Sequence, residues 1–183
     1  NIQSNTTYLQ KSATKSPETN TLNVTEAELH DIYIGIYGGH EKAEITGIIN
    51  MENCNNIQIH NIQILNNGQY RGIRITSSAD VLISNCEIGY TIMGIELDGE
   101  DLTVKNTEIF KTKLDGVWLG KSRNVLIENC YIHHVNVDYY DDYYSSGDGI
   151  QAHNTRNVRI FNTIIDRSHT GNKFCIIATE HNT

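Results

Sequence analysis

The sequence predicts an all-β solenoid of about five regular coils, with three short strands per coil and no helix. Three observations lead there. First, a phrase of nine residues at 56–64 returns at 80–88, 101–109, 124–132 and 157–165, with a shared asparagine at Asn61, Asn85, Asn106, Asn129 and Asn162. The steps of 24, 21, 23 and 33 residues fall in the range that marks stacked repeats. Second, apolar and polar residues alternate on both sides of that asparagine, the pattern of a strand with one buried face. Third, another short strand recurs between the phrases. It reads Gly47-Ile48-Ile49-Asn50, Gly72-Ile73-Arg74-Ile75, Gly94-Ile95-Glu96-Leu97, Gly116-Val117-Trp118-Leu119 and Gly149-Ile150-Gln151-Ala152, with Phe174-Cys175-Ile176-Ile177 in the same slot but lacking the glycine. A unit of about 22 residues with this content buries its apolar faces only by stacking, each strand pairing in parallel with its copy about 4.8 Å along the axis.

Taken in order, residues 1–44 are expected to form an irregular N-terminal cap, and 45–183 the coil proper. Within the cap, 5–9 and 22–24 read as edge strands of an opening coil and 32–36 alternates as a strand. The stretch 11–20, with the single proline at Pro17, reads as a loop. From Ala43 the coils are regular. Connections to the next glycine-led strand are short at 65–71, 89–93 and 110–115, long at 133–148 and intermediate at 166–173. Insertions in a solenoid collect on one face, often the binding face. The long one holds Tyr139, Tyr140, Tyr143 and Tyr144 together with several aspartates.

The repeated asparagine falls at a bend, where its amide offers both a donor and an acceptor. The expectation is a structural ladder inside the wall, Asn61, Asn85, Asn106, Asn129 and Asn162 bonding one above another; the alternative is a row of turn formers. With this row and the Gly-Ile-x-Ile strand, the chain resembles the right-handed parallel β-helix family typified by pectate lyases, over residues 45–180. The resemblance implies a right-handed parallel β-helix and a saccharide groove over the strand that follows the long loops. It says little of activity, because the scaffold hosts many.

Composition narrows the partners. The 183 residues carry a net charge of −8 and a pI near 5.4, with no basic stripe, which argues against nucleic acid. No apolar run approaches the roughly 18 residues of a membrane span. There is neither a signal peptide at Asn1 nor a starting methionine, and Thr183 falls in mid-pattern. The reading is a trimmed or mature piece of a longer chain, secreted or cell-surface, whose open coil end meets the rest of that chain or a second copy. The four cysteines do not form a disulfide framework. Cys86 and Cys130 share one inward position two coils apart, with Thr107 between, about 9.6 Å and beyond a bridge.

The candidate chemistry follows from the alternation. With Ile73, Ile95, Val117, Ile150 and Cys175 inward, the outward rows are Arg74, Glu96, Trp118, Gln151, Ile176 and then Thr76, Asp98, Gly120, His153, Ala178. Trp118, the only tryptophan, is a platform for a sugar ring or else packs under the long loop. Glu96 and Asp98 lie about 6.8 Å apart, near the spacing of an inverting glycosidase pair; otherwise Glu96 pairs with Arg74. His153 stands two coils from Asp98 over Gly120, and histidine takes and gives protons near neutral pH. A lyase or epimerase acting on a uronate needs a base, a cation against the carboxylate and a group to receive the leaving oxygen. His153 supplies the first, Arg74, Arg71 or Lys173 the second, and a loop tyrosine the third. The polygalacturonases of the resembled family carry an aspartate pair and a Gly-His-Gly type motif without a faithful copy here, so lyase or epimerase chemistry leads over hydrolysis. Asp141, Asp142 and Asp148 are candidate Ca²⁺ ligands, or a solvated acidic loop. The expected partner is an acidic or complex polysaccharide, turned over by an enzyme or held by a non-catalytic binder such as an adhesin or a phage-spike-like receptor binder; a third reading is a structural subunit that stacks end to end through its open coil edges.

Overall fold

The structure, a computed structural model, describes residues 3–12, 14–15, 22–24, 29–136, 147–166 and 175–179. Its described residues form strands and turns without helix, and every strand pairing is parallel. The coil has three walls. The first two are joined, because single bent strands run through both: Ile73–Ser84, Ile95–Lys105 and Val117–Glu128. These belong to one eleven-stranded sheet. A six-stranded sheet makes the third wall, in the order Ala43–Ile45, Ile62–Leu65, Glu87–Thr91, Glu108–Thr112, Tyr131–Val135 and Ile164–Asp166.

The phrase alternates as it does because every second side chain enters a common core. Ile34, Ile59, Ile83, Val104, Ile127 and Ile160 stand in register, one per coil, and all but the last are buried. Each such burial contributes roughly 1.5–3 kcal/mol before the entropy of ordering is charged against it. The glycine that leads the first wall is there for close approach. A Cβ on Gly116 would lie 2.7 Å from the carbonyl oxygen of Gly149, and one on Gly149 would lie 2.5 Å from that of Cys175.

Stacking starts earlier than Ala43, where the repeats become legible. The strand Thr6–Lys11 pairs with Leu29–Tyr37, which pairs with Cys54–His60, and Leu22–Val24 pairs with Ile49–Glu52. At both ends the register differs by one residue from the sequence reading. Ile49, not Ile48, pairs with Ile73, so Asn50 stands beside Arg74. Ile176, not Cys175, pairs with Ile150, so Cys175 takes the glycine slot, and the register partners of Gln151 and His153 are Ile177 and Thr179 in place of Ile176 and Ala178. A one-residue slip exchanges the two faces of a strand.

The asparagine row is corrected. Asn61, Asn85, Asn106, Asn129 and Asn162 do stack, each backbone N–H of the first four reaching the carbonyl just before the next copy. Yet all five have φ between 46° and 57°, and the last four are exposed. In this left-handed conformation, which asparagine tolerates better than most residues, the amide turns out of the wall. Within the row the one described side-chain bond is Asn162 Nδ2 to Asn129 Oδ1, 2.6 Å. The inside of the bend belongs to the next residue: Cys86, Thr107 and Cys130 are buried there. The Thr107 hydroxyl accepts from the Cys86 N–H and donates to the Lys105 carbonyl. The described cysteines are free thiols, and burial pushes that of Cys86 up to about 11. A second left-handed row opens each phrase. There Asn56 bonds Asp31, Asn124 bonds Asp101 and Asn157 bonds Asn124.

Candidate functional site

The first wall presents two outward rows. Asn50, Arg74, Glu96, Trp118 and Gln151 are in register along one. Asp98, Gly120 and His153 are in register along the other. The alternation of the strands alone brings these six candidates, Arg74, Glu96, Asp98, Trp118, Gln151 and His153, onto one face.

Within the first row, charge is already neutralised. Glu96 is buried, with only 8% of its surface exposed. Arg71 and Arg74 each aim Nε at one of its carboxylate oxygens, Arg74 at 3.2 Å, and Arg74 also donates from Nη1 to Asn50 Oδ1 at 3.1 Å. The ion-pair reading thus describes Glu96. A carboxylate held by two guanidiniums has its oxygens already engaged, and an arginine so held offers less to a substrate carboxylate.

Trp118 and Gly120 are two apart and face the same way. A Cβ built on Gly120 would lie 2.5 Å from Cζ3 of the Trp118 ring. The indole therefore lies along its own strand, over the bare backbone of Gly120. Asp98 stands one coil to one side of that glycine and His153 one coil to the other, about 9.6 Å apart along the axis. The half-buried ring, the carboxylate and the imidazole make a short platform flanked by two groups able to exchange protons.

The loop candidates Tyr139, Tyr140, Tyr143, Tyr144, Asp141 and Asp142, with Lys173, lie outside the described residues. Asp148 is described and buried, directly above Asp115 at the corner where the first wall begins. The Asp148 N–H donates to Asp115 Oδ1 at 2.7 Å. No three carboxylate, histidine or cysteine groups converge as metal ligands among the described residues, so these two aspartates do not by themselves fit Ca²⁺.

Asp115 is a feature the sequence reading passed over, although Asp115-Gly116 and Asp148-Gly149 share the place before the leading glycine. Burial, reinforced by the charge of Asp148 and partly offset by its N–H, pushes the Asp115 carboxyl up to about 6. The folded chain therefore holds this proton more tightly than the unfolded one does. Stability from this group is full below pH ~4 and declines to about pH 6, a loss on the order of 2–3 kcal/mol. Asp115→Asn keeps an acceptor for the Asp148 N–H and is expected to abolish that decline, leaving the variant more stable than wild type above pH 6. Urea unfolding at pH 4, 5, 6 and 7 reads it directly. An equal decline in both proteins would assign the pH dependence elsewhere.

A groove of about 920 Å³ follows the corner where the first wall bends into the second. It adjoins the second outward row, since Gly99, Lys121 and Asn154 are the residues just after Asp98, Gly120 and His153. The residues of this corner lie between the two repeated phrases, so neither repeat drew attention to them.

A family model described as a right handed beta helix region matches residues 46–183. Among solved structures, an alginate lyase from Paenibacillus sp. str. FPU-7 aligns at 12% identity and a TM-score of 0.55, covering 89% of this chain and 60% of that one. Pectate lyase Pel9A aligns at 12% identity and a TM-score of 0.54, covering 96% and 60%. The chain thus spans 60% of the length of each of these neighbours. No curated protein matches it in sequence. At this identity the likeness is one of fold.

Proposed function

We propose, from the premise that the chain belongs to the right-handed β-helix family, that it is a secreted or cell-surface carbohydrate-active protein handling an acidic polysaccharide by lyase or epimerase chemistry. The observation that carries this reading is the Trp118 ring laid over Gly120 between Asp98 and His153. A pyranose stacked on the indole has its two edges beside a carboxylate and an imidazole. On a uronate, His153 takes the proton from the carbon bearing the carboxylate. In elimination that C–H electron pair forms a double bond to the neighbouring carbon while its C–O bond breaks, and the oxygen leaves with a proton. In epimerisation a proton returns from the opposite face. Our assignment for the donor of that second proton is Asp98, in register with Gly120 on the side away from His153. The alginate and pectate lyases among the structural neighbours are in keeping with a polyuronate substrate.

The test is incubation with polygalacturonate, alginate and a neutral polymer, with Ca²⁺ and with chelator, following the ultraviolet absorbance of unsaturated uronide and the exchange of the uronate proton with solvent. Product or exchange with a polyuronate supports the reading, and the chelator arm decides whether calcium takes part. Binding without either outcome supports a second reading, a non-catalytic glycan binder. The mutual neutralisation of Glu96 with Arg71 and Arg74 favours that alternative, because it removes two of the four groups expected to do chemistry. Neither turnover nor binding on any polymer would overturn both.

A further inference from the structure

A uronate substrate poses a charge problem that the sheet face leaves open. The protein is acidic overall, and a polyanion approaching it is repelled except where cations gather. On the first wall Arg71 and Arg74 are committed to Glu96. The corner groove is different. It runs along the axis from His30 to Arg156, crossing six successive coils, about 24 Å at 4.8 Å each. Its C-terminal half carries Lys121, Arg123 and Arg156 against the single acid Glu100. Arg123 forms the ion pair with Glu100. Lys121 and Arg156 are exposed, and neither makes an ion pair with a described residue. Lys121 directly follows Gly120, the floor beneath the Trp118 ring, and its backbone has a φ of 31°. The bend thus turns the chain away from the sheet at the residue that enters the groove. A bulge at Gly99 lies one coil earlier.

We propose that this corner groove is the anion-binding half of the glycan site, with Lys121 and Arg156 holding carboxylates of a polyuronate chain that runs along the axis beside the Trp118 platform. The inference rests on the carbohydrate reading above and adds to it the cations that Arg74 does not supply. Lys121 and Arg156 lie one coil apart, about 4.8 Å along the axis, and two residues, about 6.8 Å, across it, because Arg156 is in register with Arg123, so the two head groups meet separate carboxylates of one chain.

The experiment is affinity electrophoresis of wild type, the double variant Lys121→Ala/Arg156→Ala, Trp118→Ala, and Arg159→Ala as a control that removes one positive charge from the second wall. The gels contain polygalacturonate, alginate, a sulfated polymer or a neutral polymer, each at low and moderate salt. Circular dichroism checks that the fold is kept. The double variant is expected to lose affinity for both polyuronates by about 100-fold, tenfold for each charged contact, with the loss shrinking as salt rises. Arg159→Ala is expected to bind as wild type. Polyuronate binding unchanged in the double variant would overturn the proposal while leaving the glycan reading in place. Retention of the sulfated polymer alone would overturn the carboxylate assignment. A wild type that binds no polymer at all would instead sink the carbohydrate reading itself.

Discussion

Gly99→Ala is expected to destabilise the coil by more than about 3 kcal/mol, the range reserved for strain at a special backbone conformation or a clash that cannot relax. A Cβ at Gly99 would overlap the carbonyl oxygen of Ser78 and lie 2.9 Å from that residue's carbon and nitrogen. All three are backbone atoms of the adjacent coil, so no rotamer change relieves the contact. Gly99 also has φ of 146°, which L side chains rarely adopt. For a chain of this size the loss corresponds to a fall in Tm of roughly 10 °C. Gly120→Ala is the informative comparison. The three atoms nearest its Cβ all belong to the Trp118 ring, a side chain that can swing aside. That variant is expected to keep its Tm within a few degrees, about 1 kcal/mol, while losing glycan affinity as the platform moves. Equal Tm losses in the two variants would mean that the corner is less rigid than its stacked backbone requires.

His153→Ala is expected to lower turnover on the best polyuronate by about 10²–10⁴-fold, the usual contribution of a positioned acid or base, with affinity changed by no more than about threefold. Trp118→Ala is expected to do the reverse, weakening binding by about tenfold through lost stacking and leaving proton exchange on the bound polymer nearly intact. The pair separates chemistry from recognition. Calorimetric titration gives affinity, and the rate of unsaturated uronide formation at saturation gives turnover. If His153→Ala turns over as fast as wild type, the imidazole is a bystander and proton transfer belongs to another group.

The repeated phrase made most of this legible. Inward apolar residues, the parallel pairing, and the rows holding Arg74, Glu96, Trp118, Gln151 and then Asp98, Gly120, His153 all follow from a period of two laid on a coil. The same reading slipped by one at Gly47–Asn50 and at Phe174–Ile177 for a physical reason. Both stretches contain adjacent isoleucines, so either register places an apolar side chain inside, and only the pairing with Ile73 and Ile150 decides between them. The asparagine row was legible as a row but not as to where its amides point. That depends on the sign of φ, which composition does not report, and a left-handed bend sends the amide outward while Thr107 and the cysteines close the inside.

The sequence by itself determined that the chain is a stack of three-stranded coils and which residues share its outer face, because alternation and repetition act over neighbours only a few residues apart. Only the tertiary structure decided that Glu96 is clamped by Arg71 and Arg74, that the Trp118 ring lies down over Gly120, and that Lys121 and Arg156 line one corner groove. Those facts join residues 22 to 35 positions apart through contacts between coils, or rest on the direction a long side chain takes, and neither is written in a local pattern.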